Sequence, residues 1–241
     1  MIYYDFHIHS ALSPCSSDDM TPNNIVNMAM LCGLDAIAVT DHNSCRNLPA
    51  VFAVAERTEN APVIVPGMEL ETQEEIHVLC LFPDLSTALA FEEIVDKTRP
   101  DLQNRPEIFG NQPVMDDMDE TLFEFEPLLL SATNLDIYTA VKFVKDMGGI
   151  AIPAHIDRDS YSILTNLGFM PEDLGANLVE YSKRCDPSAF YKEHKPLFSR
   201  RYPYIRNSDA HMLLDISEQE NMMDVPKNST PKDIIQHLLS L

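Results

Sequence analysis

Two histidine-containing motifs near opposite ends of the chain have the spacing of metal ligands. His7 and His9 stand two residues apart in DFHIHS, and Asp209 and His211 repeat that spacing in NSDAH. Residues i and i+2 of a β-strand share one face, so such a pair can bind one ion or two neighbouring ions. Imidazoles and carboxylates are ligands of zinc, manganese and iron. The two motifs therefore predict a site for divalent metal ions.

Further candidate ligands lie near the ends of other predicted strands. They are His42, Glu69, His77 and His155. A single histidine at such a position is more often an ordinary imidazole with one hydrogen bond. Six of the eight histidines occupy such positions, however, and carboxylates accompany them, which favours metal ligation. The other two, His194 and His237, are predicted to be surface residues.

The elements that position these groups are predicted from the pattern of apolar residues. Short apolar runs alternate with amphipathic stretches, which is typical of β/α units with a parallel sheet or barrel. Predicted strands cover residues 2–8, 35–40, 63–65, 76–82, 150–154, 177–181 and 204–207. Predicted helices cover residues 21–33, 48–58, 86–98, 135–147 and a final stretch that begins at Thr230. The carboxyl ends of barrel strands converge on one face, so most candidate ligands should meet there. His77 is the exception, because it begins its predicted strand.

Residues 99–127 interrupt this alternation. The stretch is acidic, rich in Pro, Asn and Asp, and without a clear period. It is predicted to be a long loop or a small insertion, and one interpretation is a lid over the site. The chain as a whole, residues 1–241, is predicted to be a single domain, since its length suits one α/β unit.

The composition is strongly acidic, with 17 Lys and Arg against 38 Asp and Glu and a formal charge of −21. Such a surface repels DNA and RNA at long range, so stable binding of long nucleic acid is not expected. An anionic substrate is not excluded, because divalent ions in a pocket reverse the local field.

The cysteine content and the N-terminus favour a cytoplasmic protein. Five cysteines, an odd number without a CxxC motif, are expected to be free thiols in a reducing compartment. The N-terminus shows no secretory leader, and there is no run of roughly 18 apolar residues. We therefore expect no association with a membrane.

Taken together, the motifs resemble those of the PHP (polymerase and histidinol phosphatase) domain family. DFHIHS is similar to the family's opening HxH motif, AVTDHN to its second motif, GMELE to its third, PAHIDR to an intermediate histidine motif and NSDAH to its last. The resemblance covers nearly the whole chain. It implies a distorted (β/α)7 barrel with a trinuclear centre of zinc, manganese or iron, and hydrolysis of phosphoesters.

Carried over residue by residue, the resemblance implies two complete metal sites that share a carboxylate. The first ion would be held by His7, His9, Glu69 and Asp209. Glu69 would bridge to a second ion, which is completed by His77 and His155.

A third ion is implied with fewer ligands. His42 and His211 would hold it, but its usual loop ligand has no clear counterpart in SALSPCSSDDM. Cys15 is one replacement, as a thiolate that would favour zinc or iron. Asp18 and Asp19 are the alternatives, and an ordinary loop role for Cys15 is equally open.

Other polar residues have supporting roles in this interpretation. Asp5 and Asp41 are candidates to orient ligating imidazoles, with loop or capping hydrogen bonds as the competing roles. Asp209 or His211 could carry a proton to the leaving group.

Arg158, Lys183 and Arg184 follow predicted strands and are candidates to clamp the phosphate. For each of them, an ordinary surface charge is the more common role.

The leading functional interpretation is a metal-dependent phosphoesterase with two or three divalent ions, acting on a small phosphomonoester or nucleotide through a metal-activated hydroxide. The alternatives are a 5'-3' exonuclease on short oligonucleotides, a histidinol-phosphate phosphatase, and a metal-binding regulatory module without catalysis. The acidic composition and the complete ligand set favour the leading interpretation.

Overall fold

Strands and helices alternate along the chain, largely as the apolar pattern predicts. The structure is a computed structural model that describes all residues from 1 to 241. The strands are β1 (Ile2–Ile8), β2 (Ala36–Val39), β3 (Val63–Ile64), β4 (Gly67–Glu71), β5 (His77–Leu81), β6 (Pro113–Met115), β7 (Thr121–Glu124), β8 (Ile150–Pro153), β9 (Val179–Ser182), β10 (Tyr204–Asn207) and β11 (Met222–Met223). The helices are α1 (Pro22–Leu31), α2 (Leu48–Arg57), α3 (Leu85–Asp96), α4 (Pro106–Phe109), α5 (Ile137–Asp146), α6 (Ile163–Leu167), α7 (Pro187–Glu193) and α8 (Pro231–Ser240).

Parallel pairing brings together strands from both ends of the chain. β1 pairs in parallel with β2, and β2 with β3, while β11 pairs antiparallel with the other edge of β1. β9 and β10 form a second parallel pair, with Ser182 opposite Asn207. An isolated bridge between Ile8 and Ala210 connects the end of β1 to the segment after β10. The two motifs with paired ligands are therefore neighbours in space.

β4, β5 and β8 form an antiparallel sheet. The prediction of parallel pairing was wrong for this sheet, and β4 was not predicted as a strand. Only residues 72–76 connect β4 to β5, which is too short for the crossover that parallel strands need. Glu71 lies opposite His77, so β5 begins at the edge where β4 ends. This reversal explains why His77 reaches the site from the start of its strand.

Side-chain caps mark where several helices begin. The hydroxyls of Thr21 and Thr230 accept hydrogen bonds from backbone N–H groups in the first turns of α1 and α8, which confirms both predicted starts. Asp136 caps α5 in the same way. Gly148, just after α5, has a left-handed φ of 78° that suits a helix end. None of the helices is both long enough and apolar enough to cross a lipid bilayer.

Strands from three separate sheets face one common apolar core. Phe6 of β1, Leu79 of β5, Ile152 of β8 and Ile205 of β10 all belong to it, and the apolar face of α8 packs against it. A larger apolar core includes residues of α1, α2, α3 and α5. The β-strands that carry the candidate ligands are therefore held on both sides by buried apolar side chains.

Residues 99–127 contain α4 and the β6–β7 hairpin and are therefore not a plain loop. Val114 of this hairpin packs against Leu12 and Leu129. The Asp119 carboxylate accepts a 2.8 Å hydrogen bond from the hydroxyl of Thr21, at the start of α1. The stretch is an ordered addition that packs against the N-terminal part of the chain.

Candidate metal centre

The Glu69 carboxylate lies at the centre of a group of imidazoles. Glu69 is 1% exposed and belongs to β4. Its Oε1 atom is 3.2 Å from Nε2 of His7, 2.9 Å from Nδ1 of His77 and 3.1 Å from Nε2 of His155. Burial alone would raise the pKa of Glu69, but the imidazoles, His77 first, hold that pKa well below its usual range. The carboxylate is therefore ionised, as a metal ligand must be.

The second oxygen of Glu69 faces two more imidazoles. Oε2 lies 3.0 Å from Nδ1 of His42 and 3.4 Å from Nε2 of His9. A backbone bridge between His42 and Glu69 holds the end of β2 beside β4. Both oxygens of one buried carboxylate are thus surrounded by ring nitrogens.

These nitrogens are more numerous than hydrogen bonding can satisfy. A carboxylate oxygen has about two lone pairs, whereas three ring nitrogens face Oε1 of Glu69. Nε2 of His7 and Oε2 of Glu69 are fully buried and form no hydrogen bond of acceptable geometry. Buried polar atoms that converge without partners are explained by cations between them. The donor set therefore fits divalent metal ions.

Asp209 closes one side of the group. Its Oδ1 atom lies 3.0 Å from Nε2 of His9 and 3.3 Å from Nε2 of His7. The ligand atoms of His7, His9, Glu69 and Asp209 all lie within 4.8 Å of one another. One ion could contact all four.

Two other sets of ligand atoms meet the same 4.8 Å limit. One set is His42, Glu69 and His77, and the other is His9, His42 and His211. His42 therefore belongs to both of these sets. The buried histidine, glutamate and aspartate clusters are consistent with more than one divalent ion.

Cys15 lies beside the rings of His42 and His211. Burial raises the pKa of its thiol, but hydrogen bonds with His211 and His42 outweigh this effect and lower the pKa to about 7. None of the three loop candidates belongs to a ligand set, but Cys15 lines the same pocket as His42 and His211, whereas Asp18 and Asp19 do not. Of the three loop candidates, Cys15 is the one that the fold brings to the histidines.

Glu180 is a residue of the site that sequence reasoning missed. It is 2% exposed in β9. Its carboxylate accepts hydrogen bonds from Nδ1 of His7 at 3.0 Å, from the backbone N–H of His155 at 3.0 Å and from the amide of Asn207 at 2.6 Å. Because Nδ1 of His7 donates to Glu180, Nε2 is left to face Glu69. The only sequence signal was a carboxylate inside the buried strand VEYS.

Asp41 orients His9 through a serine. The Ser13 hydroxyl donates to Asp41 at 2.7 Å and lies 3.1 Å from Nδ1 of His9. The same hydroxyl accepts a 3.1 Å hydrogen bond from the backbone N–H of His42. Asp41 thus acts on two candidate ligands without touching either ring.

Asp5 takes the loop role that was its alternative. Its carboxylate accepts hydrogen bonds from the backbone N–H groups of Ser208 at 3.1 Å and Ser217 at 2.9 Å. It does not contact the ring of His7, because Glu180 already occupies Nδ1. Asp5 instead supports the segment that contains Asp209, whose φ of 52° is left-handed and rare outside glycine.

Six of the candidate ligands line a pocket of about 340 Å³: Cys15, His42, Glu69, His77, Asp209 and His211. Arg158 stands at its wall, with Nη2 2.6 Å from Oδ2 of Asp209. Tyr161 stacks on the ring of His77 with 4.7 Å between ring centres. None of residues 99–127 lines this pocket, so nothing in their position makes them a lid.

Four side chains from the sequence analysis lie outside the metal pocket. Arg184 and its neighbour Lys183 line an adjoining cleft. His194 and His237 are partly exposed and belong to no ligand set.

The fold and the geometry define an α/β protein whose buried clusters of imidazoles and carboxylates, near the ends of β-strands, are consistent with several divalent ions. Residues 5–141 match the PHP domain. The chain belongs to the PHP domain family, and it has the α/β, metal-dependent phosphoesterase-like fold of that family, whose enzymes hydrolyse phosphoester bonds.

Two relatives show how the chain compares with longer proteins. An uncharacterised protein of Methanocaldococcus jannaschii is 25% identical over 205 residues, which cover 82% of this chain and 21% of that protein. The 5'-3' exoribonuclease Rnm of Salmonella typhimurium is 30% identical over 88 residues, which cover 35% of this chain and 29% of that protein. The matched regions span less than a third of either relative.

Solved structures share the fold at low sequence identity. The lesion-specific endonuclease Q of Pyrococcus furiosus superposes with a TM-score of 0.68 at 20% identity, over 98% of this chain and 55% of that one. A protein from Bifidobacterium adolescentis, proposed to be a metal-dependent phosphoesterase, gives a TM-score of 0.57 at 15% identity, over 98% and 95% of the two chains. At these identities the likeness concerns the fold alone.

Proposed function

We propose that this chain hydrolyses phosphate esters at a centre of two or three divalent metal ions, with a small phosphomonoester or a nucleotide as substrate. The surroundings of Glu69 carry the proposal. Five imidazoles converge on one buried, ionised carboxylate, which suits a ligand shared between ions. Membership of the PHP family supports the reaction class.

The first two of three proposed ligand sets share Glu69. The first ion is held by His7, His9, Glu69 and Asp209. A second is held by Glu69, His77 and His155, and a third by His42, His211 and Cys15. Nitrogen, oxygen and sulfur donors in this mixture suit zinc, manganese or iron.

Bound divalent ions would neutralise the phosphate charge and make water nucleophilic near neutral pH. Arg158 lies at the pocket wall with its side chain 43% exposed, so its guanidinium can donate to a phosphate oxygen. Asp209 is suited to be a ligand more than a proton donor, because His7 and His9 hold its pKa well below the usual range although burial opposes this. His211 is more accessible, at 29% side-chain exposure, and is the candidate to deliver a proton to the leaving oxygen.

A 5'-3' exonuclease on short oligonucleotides is the second candidate. The Salmonella relative is named as an exoribonuclease, and an endonuclease Q structure contains a DNA duplex with an abasic lesion at its active site. The first finding favours the end of a nucleic acid as a substrate, and the second favours nucleic acid without pointing to an end. They weaken the expectation, based on net charge, that the chain does not stably bind long nucleic acid.

We further infer that the whole chain is one domain with the topology of a distorted seven-stranded barrel. The paired strands form four groups. The shared apolar core, and the bridges between Ile8 and Ala210 and between His42 and Glu69, support a single arrangement of these groups.

The test is turnover on a panel of esters, with metal content measured in the same preparation. The panel contains p-nitrophenyl phosphate, 5'-mononucleotides, histidinol phosphate and short 5'-phosphorylated oligonucleotides. We expect hydrolysis that EDTA abolishes and that zinc, manganese or iron restores. Full metal occupancy without turnover of any ester would contradict the proposal and favour a regulatory module.

A further inference from the structure

A second cavity adjoins the metal pocket. It is a cleft of about 400 Å³, and the two cavities share Arg158 and Asp209 in their walls. A substrate bound in the metal pocket would therefore have one end at the mouth of this cleft.

Loops at the ends of neighbouring strands form the basic wall of the cleft. Arg158 lies beyond the end of β8, and Lys183 and Arg184 directly follow β9. The carboxylates in the cleft are those of Asp209 and Asp215. Three cations thus face two carboxylates, although acidic residues outnumber basic ones 38 to 17 in the chain.

The cations contributed by the loop after β9 are only weakly engaged. Lys183 lies 3.6 Å from a carboxylate oxygen of Glu220, which is a loose and partly exposed pair. Arg184 is exposed and forms no ion pair. Their N–H groups are available to an anionic ligand, whereas one nitrogen of the Arg158 guanidinium, Nη2, already contacts Asp209 at 2.6 Å.

An apolar side chain stands at the rim of the same cleft. Leu214 is 88% exposed in a short helical turn, Leu213–Asp215, and it lines the cleft beside the cations. Cations that bind phosphate, next to an apolar surface that can contact a sugar or a base, fit a nucleotide better than an isolated phosphate ion.

We propose that this basic cleft binds a second phosphoryl group of the substrate, the one linked through a single nucleotide to the phosphoester in the metal pocket. The proposal rests on the proposed function of the metal pocket and names its substrate class: a 5'-phosphorylated oligonucleotide of at least two nucleotides. The metal ions neutralise one phosphate, and a second charge of this kind needs cations of its own. Lys183 and Arg184 supply them.

The test measures binding, so it does not depend on turnover. Two hydrolysis-resistant dinucleotides carry a 5'-thiophosphate and differ only in the linkage, which is a charged phosphorothioate in one and a neutral methylphosphonate in the other. Isothermal titration calorimetry gives the dissociation constant of each for the metal-loaded protein. We expect the charged dinucleotide to bind about tenfold more tightly, the ratio that one or two charge-assisted hydrogen bonds support. The Lys183→Ala/Arg184→Ala variant should lose that ratio.

A matched variant controls for the loss of two charges. Lys142→Ala/Lys192→Ala removes two exposed lysines that line neither cavity, and it should keep the ratio of the wild type. Equal binding of the two dinucleotides by the wild type, or an unchanged ratio in the Lys183→Ala/Arg184→Ala variant, would overturn the proposal. Charge-dependent binding without turnover of any ester would support the cleft while contradicting the proposed hydrolysis.

Discussion

The metal pocket and the basic cleft are adjacent but are built differently. In the metal pocket, His7 is fully buried, Glu69 is 1% exposed, and the rings of His7 and His9 each have a fixed partner in addition to the shared carboxylate. In the cleft, Arg158 is 43% exposed and Arg184 is free of ion pairs. The first arrangement fixes ligand positions before any ion binds, whereas the second leaves long side chains free to adapt.

The difference follows from the elements that carry the residues. The candidate ligands lie on strands or directly beside them, where hydrogen-bonded pairing and two apolar cores hold the backbone. The cations of the cleft come from loops. Precisely positioned side chains favour chemistry. Long, exposed Lys and Arg side chains favour recognition of an anion whose position varies.

Metal removal should have the largest effect on turnover and on melting temperature. This effect should depend on the metal pocket and not on the basic cleft. EDTA should abolish turnover and lower the melting temperature by about 5–10 °C, since a ligand at 100 times its dissociation constant stabilises a fold by about 2.7 kcal/mol. Differential scanning fluorimetry measures this shift. The Lys183→Ala/Arg184→Ala variant should show the same shift as the wild type. A smaller shift in that variant would mean that the cleft takes part in metal binding.

Glu180→Gln should weaken metal binding by about 10- to 100-fold, the usual effect of losing the partner that orients a ligating histidine. The amide keeps the size of the side chain but removes the charge that holds Nδ1 of His7 as a donor. Competition with a chelating dye measures the affinity. Glu172→Gln, at an exposed position, is the control. If the two variants bound metal equally well, the proposed role of Glu180 would be wrong.

Gly110→Ala tests whether residues 99–127 support the metal pocket through the loop that contains Cys15. Gly110 has a φ of 103°, and a Cβ atom there would lie 2.2 Å from the carbonyl oxygen of Pro14. Gly168→Ala is the matched control, because its φ of 79° is also left-handed but nothing lies within 4 Å of the added atom. Both changes should reduce the free energy of unfolding by about 1 kcal/mol or more through backbone strain. Only Gly110→Ala should add a clash and reduce metal occupancy, as measured by urea unfolding and metal counting.

Asp136→Ala should have the smallest effect on stability and should leave both cavities unchanged. Asp136 caps α5, and hydrogen bonds from Thr139 hold its pKa below the usual value. Loss of the cap should reduce the free energy of unfolding by about 1 kcal/mol at neutral pH. Because the folded-state pKa is depressed, this stabilisation is present above the unfolded-state pKa and is lost as pH falls through the folded-state pKa. Urea unfolding of both proteins over that range should show the difference shrinking, while metal content stays equal at neutral pH.

The sequence indicated which candidate ligands would lie together far better than it indicated the residues that support them. His7, His9, Asp209 and His211 stand out because histidine and aspartate at a two-residue spacing are uncommon next to apolar strands. The fold indeed brings them together. Glu180 has no such spacing, and its role depends on a pairing between strands that are distant along the chain.

The errors concern strand direction and local order. β4 is short and directly follows β3, so an apolar pattern could not separate the two or show that the chain reverses at residues 72–76. In residues 99–127, the hairpin is stabilised by contacts with Leu12 and Thr21, far away in sequence. Its four-residue strand β7 is exposed, so the stretch shows little apolar periodicity.

Metal content of the Glu69→Gln variant tests the central claim most directly. Glu193→Gln, which changes an exposed glutamate outside both cavities, is the matched control. Inductively coupled plasma mass spectrometry of the purified proteins should find two or three ions per chain in the wild type and the control, as the three ligand sets allow. Glu69→Gln should lose at least one ion while keeping the circular dichroism spectrum of the wild type. Full metal content in Glu69→Gln would show that this carboxylate is not shared between ions and would contradict the account.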